Sequence, residues 1–131
     1  MIEKNKEYLS WENFENAMKN IKNWAENKKF RNIYGIPRGG LVLAVSLSHL
    51  LDLPILIDEN KITSETLVVD DICDSGITLK KYKNYKTVTL YYRQNEIFKP
   101  DYFVLNAKLN WIVFPWETEK TSKRDYEENL K

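Results

Sequence analysis

The chain has 131 residues, of which 30% are charged and 43% hydrophobic, and this length and composition predict one folded domain over residues 1–131. Its net charge of +1 and the lack of a long apolar run argue against nucleic acid or a membrane as a partner. A single cysteine excludes an intrachain disulfide, and without a signal peptide we expect a cytoplasmic protein.

The first predicted element is an amphipathic helix that follows a polar lead-in. Ser10 is a suitable N-cap residue, and Glu12 in the first turn suits the helix dipole. Apolar side chains then recur at helical spacing, so we expect them in the core. These side chains are Trp11, Phe14, Met18, Ile21 and Trp24.

A strand over 32–36 is predicted next, followed by a turn and an apolar helix over 41–51 that we expect to be buried. The turn is Pro37-Arg38-Gly39-Gly40. Arg38 carries a planar, permanently charged group, and the glycines let an anion approach the backbone. A strand, such a turn and a helix together predict an anion-binding loop.

The stretch 67–79 contains most of the candidate site residues. Its apolar start predicts a buried strand, which Asp70 and Asp71 should end. A turn of small and hydroxyl residues follows over 74–78 and should lead into a helix over 79–85. Backbone N–H groups and hydroxyls in such a turn suit a phosphate, and the two acids suit sugar hydroxyls or a hard cation.

Further strands are predicted over 54–57, 87–92 and 101–105, and their alternation with helices predicts a parallel sheet with its ligand at the carboxyl ends of the strands. A doubly wound domain of unrelated activity, such as a flavodoxin-like module, would share this order. Charged residues dominate 117–131, which we expect to be a solvated helix or a disordered tail.

Three motifs carry a resemblance to a known family. The stretch 67–79 resembles the phosphoribosyl-pyrophosphate (PRPP) signature of the type I phosphoribosyltransferases, an apolar strand and two acids before Asp-Ser/Thr-Gly-x-Thr. The turn 37–40 is similar to their pyrophosphate loop, where a non-proline cis peptide is expected at Pro37–Arg38. Trp111-Ile112-Val113-Phe114-Pro115-Trp116 resembles the Trp-Ile-x-x-Pro-Trp segment of bacterial xanthine-guanine phosphoribosyltransferases.

The resemblance runs from about Tyr8 to Trp116 and implies the type I fold, an α/β fold with a mainly parallel, twisted sheet flanked by helices. It also implies Mg²⁺ as cofactor, held by Asp70 and Asp71, and Asp74 as the general base. The implied PRPP-binding residues are Arg38, Gly39, Asp70, Asp71, Asp74, Ser75, Gly76, Ile77 and Thr78. The implied base-binding residues are Trp111, which stacks on the purine, Ile112, and Arg93, which reads the 6-oxo group.

The implied activity is transfer of 5-phosphoribose from PRPP to guanine, xanthine or hypoxanthine, a step of purine salvage, by a homodimer or homotetramer. The chain departs from the family at 58–65, a short polar connection where the family has a long flexible loop. Because such loops exclude water from the reaction, a non-catalytic PRPP- or nucleotide-binding regulator remains an alternative. Trp111 could also be an ordinary core residue.

Overall fold

The structure is a computed structural model, and it describes residues 5–123. A five-stranded parallel sheet and a separate two-stranded sheet make up its β structure. The elements in chain order are β1 (Lys6–Tyr8), α1 (Trp11–Ala25), β2 (Asn32–Gly35), α2 (Gly39–Leu51), β3 (Ile55–Leu56), β4 (Thr66–Cys73), α3 (Ile77–Lys80), β5 (Lys86–Tyr92), β6 (Tyr102–Asn106) and β7 (Trp111–Val113).

The large sheet has the strand order β3-β2-β4-β5-β6, and every pair in it is parallel. One face, which includes Ile33, Leu67 and Val69, packs in a core with α1 and α2. The opposite face places Val68 in a second apolar cluster with Leu79 of α3. This two-layer burial follows from the alternation of side chains along a strand, and it confirms the predicted α/β fold.

Helix α1 begins where the sequence predicts, because the backbone N–H of Asn13 donates to Ser10 Oγ at 3.0 Å. Phe14, Met18 and Ile21 are buried as expected. The expectation of a buried Trp11 is wrong: Trp11 is the first residue of α1 and is 52% exposed. There its ring meets the edge of Phe14 at a centroid distance of 5.7 Å.

Helix α2 begins at Gly39, two residues before the predicted start, and it is less buried than its apolar sequence predicts. Leu43 and Leu47 are fully buried, whereas Leu41 and Val45 are exposed, with Val45 at 50%. A helix on one face of a sheet can bury only one side, whatever its other side is made of.

Two other bounds differ from the predictions. Strand β4 continues through the two acids to Cys73, and α3 is a single turn that ends at Lys80 instead of running to Tyr85. The connection 58–65 contains only a 3-10 turn over Glu59–Lys61, so it is as short as predicted. No helix within residues 5–123 is long and apolar enough to span a bilayer.

The small sheet pairs β1 with β7 in parallel, so Lys6 lies beside Trp111. Its two strands are far apart in sequence, and this pairing brings the start and the end of the described chain together. The position of β7 therefore depends on a residue pairing across about a hundred residues, which no local sequence pattern reveals.

Candidate functional site

A cavity of about 410 Å³ lies at the carboxyl ends of the central strands. Every predicted site residue except Ile77 lines it, and the Ile77 side chain is instead 52% exposed. The predicted residues on its wall are Arg38, Gly39, Asp70, Asp71, Asp74, Ser75, Gly76, Thr78, Arg93, Trp111 and Ile112. The fold thus brings together side chains that are spread over more than half of the sequence.

The acid pair lines the cavity beside the point where the neighbouring strand stops, and Asp70 is only 8% exposed. Strand β2 pairs with β4 only as far as Val69, whereas β5 continues alongside the rest of β4. Asp70 and Asp71 therefore lie inside β4 rather than beyond its end, at the edge that β2 leaves uncovered. The backbone N–H of Asp71 donates to Asp70 Oδ1 at 2.8 Å, and that of Ile72 donates to Asp71 Oδ1 at 2.8 Å.

The Arg38 loop and the acid pair are in direct contact. A methyl group added to Gly39 would lie 1.9 Å from Asp71 Oδ2, and one added to Gly40 would lie 2.5 Å from the carbonyl oxygen of Val69. Only glycine leaves room for these approaches. The peptide bond Pro37–Arg38 is cis, which confirms that prediction. The two motifs form one continuous surface.

The turn after β4 is held from behind by Asn95, which the sequence analysis missed. Its Nδ2 donates to the carbonyl oxygen of Asp74 at 3.1 Å, and its Oδ1 accepts the N–H of Phe98 at 2.9 Å. Gly76 has a φ of 88°, and a methyl group there would lie 2.6 Å from Asn95 Oδ1. An asparagine favours a local turn, but nothing local indicates its contact with the turn 74–76.

Asp74 and Arg93 form an ion pair. Arg93 Nε lies 2.6 Å from Asp74 Oδ1, and each side chain is 13% exposed. Arg93 Nη1 also donates to the carbonyl oxygen of Lys108 at 2.8 Å. Arg93 therefore lines the cavity and also binds the carboxylate of Asp74, the predicted general base. Because a guanidinium has five N–H donors, these two bonds leave it further donor capacity.

Trp111 and Ile112 of β7 both line the cavity. Ile112 is buried, and Trp111 Nε1 donates to Ser122 Oγ at 3.0 Å. Ser122 is itself 2% exposed and lines the cavity. The predicted solvated helix is confirmed in part, because residues 119–123 are helical and residues 118–120 and 123 are exposed. Two residues depart from it: Ser122 is buried, and Glu117 Oε1 accepts the backbone N–H of Phe114 at 2.9 Å. The rest of the predicted tail, 124–131, lies outside the described residues.

Cys73 is the last residue of β4 and lines the cavity, but it is buried. Burial raises the pKa of its thiol from 9.0 to about 11, with Asp70 and Asp74 contributing in the same direction. The thiol therefore stays protonated at neutral pH. Because the thiolate is the nucleophilic form, Cys73 is not a catalytic nucleophile.

The donor set suits Mg²⁺ that arrives with a phosphate ligand. Within residues 5–123, no group of three or more metal-ligating side chains comes together. Asp70 and Asp71 supply two carboxylates on the cavity wall. Mg²⁺ is commonly bound by one or two carboxylates and completed by water and substrate phosphates, so two acids fit this ion.

The sequence matches no protein-family model and no curated protein. Solved structures do resemble it. A purine phosphoribosyltransferase from Pyrococcus horikoshii Ot3 has a TM-score of 0.76 and 28% identity, and the match covers 86% of this chain and 95% of that one.

Two further structures share the fold at lower identity. The Helicobacter pylori xanthine-guanine-hypoxanthine phosphoribosyltransferase has a TM-score of 0.75 and 24% identity, covering 92% of this chain and 99% of that one. A hypothetical protein from Neisseria gonorrhoeae with bound ppGpp has a TM-score of 0.68 and 18% identity, covering 98% of this chain and 99% of that one. The fold and these likenesses agree with the motifs: the chain has the fold of the type I phosphoribosyltransferases, and solved structures that resemble it include purine phosphoribosyltransferases.

Proposed function

We propose that this protein is a phosphoribosyltransferase that transfers 5-phosphoribose from PRPP to a 6-oxopurine and releases pyrophosphate. The observation that carries the proposal is the contact between the two anion-binding motifs. The carboxylate of Asp71 lies directly over Gly39, within a cavity whose wall also includes Trp111. One cavity thus offers groups for a phosphate, a sugar, a second phosphate group and a flat base.

The phosphate and ribose groups of PRPP would be held on the β4 side. The turn 74–78 offers backbone N–H groups and the hydroxyls of Ser75 and Thr78 to the 5′-phosphate. Asp70 and Asp71 would accept hydrogen bonds from the ribose hydroxyls and would hold Mg²⁺, which would supply positive charge to offset the negative charge of the pyrophosphate group. Arg38 and the backbone of Gly39 bind the pyrophosphate itself.

The purine would be held between β7 and the Asp74–Arg93 pair. Trp111 stacks on the ring, which buries two flat apolar faces, and the backbone of Ile112 contacts the exocyclic group. Arg93 retains N–H donors for a 6-oxo group beyond those bound to Asp74 and Lys108. A nitrogen of the ring attacks the anomeric carbon as the bond to pyrophosphate breaks, and Asp74 accepts the proton from the ring.

Water must be excluded from the site during the transfer, and residues 5–123 contribute little that could cover it. The connection 58–65 is short, and Tyr82 Oη ties it to the body of the domain by donating to Glu59 Oε1 at 3.0 Å. We propose that a second copy of the chain covers the site, in a cytoplasmic homodimer or homotetramer. A closed, dry site strengthens the electrostatic interactions on which the transfer depends.

The test is to incubate the protein with PRPP, Mg²⁺ and one base at a time, and to measure the pyrophosphate that is released. The bases are guanine, xanthine, hypoxanthine, adenine, uracil and orotate. Turnover with one or more 6-oxopurines and not with the other bases is the expected result. Turnover with uracil or orotate alone would overturn the assignment of the base. Binding of PRPP or a purine nucleotide, with no turnover of any base, would instead favour the regulatory alternative that the short connection suggests.

A further inference from the structure

The wall of the cavity that carries Trp111 is assembled from both ends of the described chain. The backbone N–H of Trp111 donates to the carbonyl oxygen of Asn5 at 2.8 Å, and Lys6 is its pairing partner on β1. Glu7 anchors β1 to the body of the domain, because its carboxylate accepts Tyr91 Oη at 2.6 Å and Asn110 Nδ2 at 3.1 Å. The backbone of Trp111 is therefore fixed relative to the large sheet.

The side chain of Trp111 is held separately, at its edge and over its face. Ser122 Oγ accepts the indole N–H at 3.0 Å, and the ammonium group of Lys6 lies 4.7 Å from the centre of the ring. The same ammonium group lies 3.9 Å from Glu119 Oε1. Because the hydrogen bond is directional and the cation prefers the ring face, the two contacts restrain different rotations of the indole.

The segment that supplies Ser122 is itself ordered by local hydrogen bonds. The backbone N–H of Thr118 donates to Thr121 Oγ1 at 2.9 Å, and that of Thr121 donates to Thr118 Oγ1 at 3.1 Å. Glu117 closes the preceding turn through its bond to the N–H of Phe114. A buried hydroxyl on an ordered segment is a better anchor than one on a mobile surface chain, because less side-chain freedom is lost when it binds.

We propose that Ser122 and Lys6 are positioning residues for base recognition, which set the plane of the Trp111 ring before the purine arrives. The inference rests on the proposed function, since it takes Trp111 as the surface on which the base stacks. Holding the ring in its bound orientation removes the cost of ordering it at the moment of binding. Loss of either contact should therefore weaken base binding and leave PRPP binding unchanged.

The test combines steady-state kinetics with the indole N–H signals of the four tryptophans in a nitrogen-15 NMR spectrum. Loss of one signal in Trp111→Phe assigns the Trp111 signal. In Ser122→Ala this signal should shift, and KM for the base should rise about three- to tenfold with KM for PRPP unchanged. Ser122→Thr, which keeps the hydroxyl, should restore both. Lys6→Met should raise KM for the base by a smaller factor, about twofold to fivefold.

Ser48→Ala is the matched control, because it removes another serine hydroxyl that forms a hydrogen bond within the fold: Ser48 Oγ donates to the carbonyl oxygen of Leu53, away from the cavity. It should leave both KM values unchanged. An active Ser122→Ala enzyme with a shifted indole signal and an unchanged KM for the base would overturn this inference and spare the proposed function. Equal rises in both KM values would indicate a merely structural role, and absence of turnover in the wild-type protein would overturn both proposals.

Discussion

The two sides of the cavity are built in different ways. On the side proposed for PRPP, Asp70, Asp71 and the turn 74–78 follow one another along the chain, and the Arg38 loop joins them from the adjacent strand. On the side proposed for the base, Arg93, Trp111 and Ser122 come from separate segments, and the sheet that carries Trp111 is completed by β1. Phosphates are bound largely by local backbone geometry, whereas a base requires side chains whose positions are set by packing.

The largest expected effect lies where the two sides meet, at Asp74. Asp74→Asn keeps an oxygen that can accept the bond from Arg93 Nε but cannot accept a proton. We expect kcat to fall on the order of 10²- to 10⁴-fold, with little change in KM for PRPP. Steady-state kinetics measure both values. Asp58→Asn, on an exposed turn away from the cavity, is the control and should leave kcat unchanged. Full turnover of Asp74→Asn would refute Asp74 as the general base.

Removal of the proposed stacking surface should affect the base side alone. Trp111→Ala should raise KM for the purine about tenfold or more, since stacking on an aromatic ring contributes about 1–3 kcal/mol per base. KM for PRPP should not change. Trp24→Ala removes an equally large ring, which stacks on Tyr102 outside the cavity, and should lower the thermal midpoint without changing KM for the base. If both variants raised KM for the base equally, Trp111 would be a core residue only.

Substitutions at two glycines on the side proposed for PRPP should separate an effect on PRPP binding from an effect on the stability of the fold. In Gly39→Ala the new methyl group would displace the carboxylate of Asp71, a side chain that can move. We expect KM for PRPP to rise by about tenfold, the effect of 1.4 kcal/mol, with a small change in the thermal midpoint. In Gly35→Ala the methyl group would lie 2.6 Å from the carbonyl oxygen of Gly40, which cannot move as easily. This variant should lose about 1–3 kcal/mol of unfolding free energy.

The outcome that would contradict this pair is a reversal, in which Gly39→Ala unfolds at a lower temperature than Gly35→Ala and binds PRPP normally. The close approach of Gly39 to Asp71 would then serve packing and not the ligand. Thermal unfolding and PRPP kinetics on the same preparations distinguish the two cases.

The smallest expected effect is a pH dependence at Cys73. The unfolded thiol ionises near 9.0, whereas burial keeps the folded thiol protonated up to a pKa of about 11. The contribution of this group to stability is therefore complete below pH 9 and is lost as the pH rises towards 11, by at most about 1.4 kcal/mol per pH unit. The measurement is urea unfolding of the wild-type protein and of Cys73→Ala between pH 8 and 10. The difference between their unfolding free energies should become smaller as the pH rises.

A constant difference across that range would mean that the Cys73 thiol has an unperturbed pKa. Burial also raises the pKa values of Tyr82 and Tyr91, but both tyrosines are present in the two proteins and their effects cancel in the difference. The comparison thus isolates the thiol at the end of β4.

The α/β class, the structural likeness to purine phosphoribosyltransferases and the cis bond at Pro37–Arg38 could be predicted from the sequence and are confirmed. The roles of Asp70, Asp71, Asp74 and Trp111 stay predictions, although all four line one cavity. Arg93 was predicted to read the base alone, and the pairing with Asp74 could not be anticipated because the two residues are nineteen positions apart. Asn95, Ser122 and Lys6 were missed for the same reason, since each acts through a contact distant in sequence.

The strand, the two acids and the turn on the side proposed for PRPP could be predicted from the chain alone, because a phosphate site needs small residues and free N–H groups at consecutive positions. The same holds for the amphipathic helix α1 and its cap at Ser10. Three features are visible only in the folded chain: β2 stops short of the acids, Asp71 lies over Gly39, and the ends of the described chain meet around Trp111. These features arise from strand pairing and packing between distant segments, which leave no periodic or local pattern in the chain.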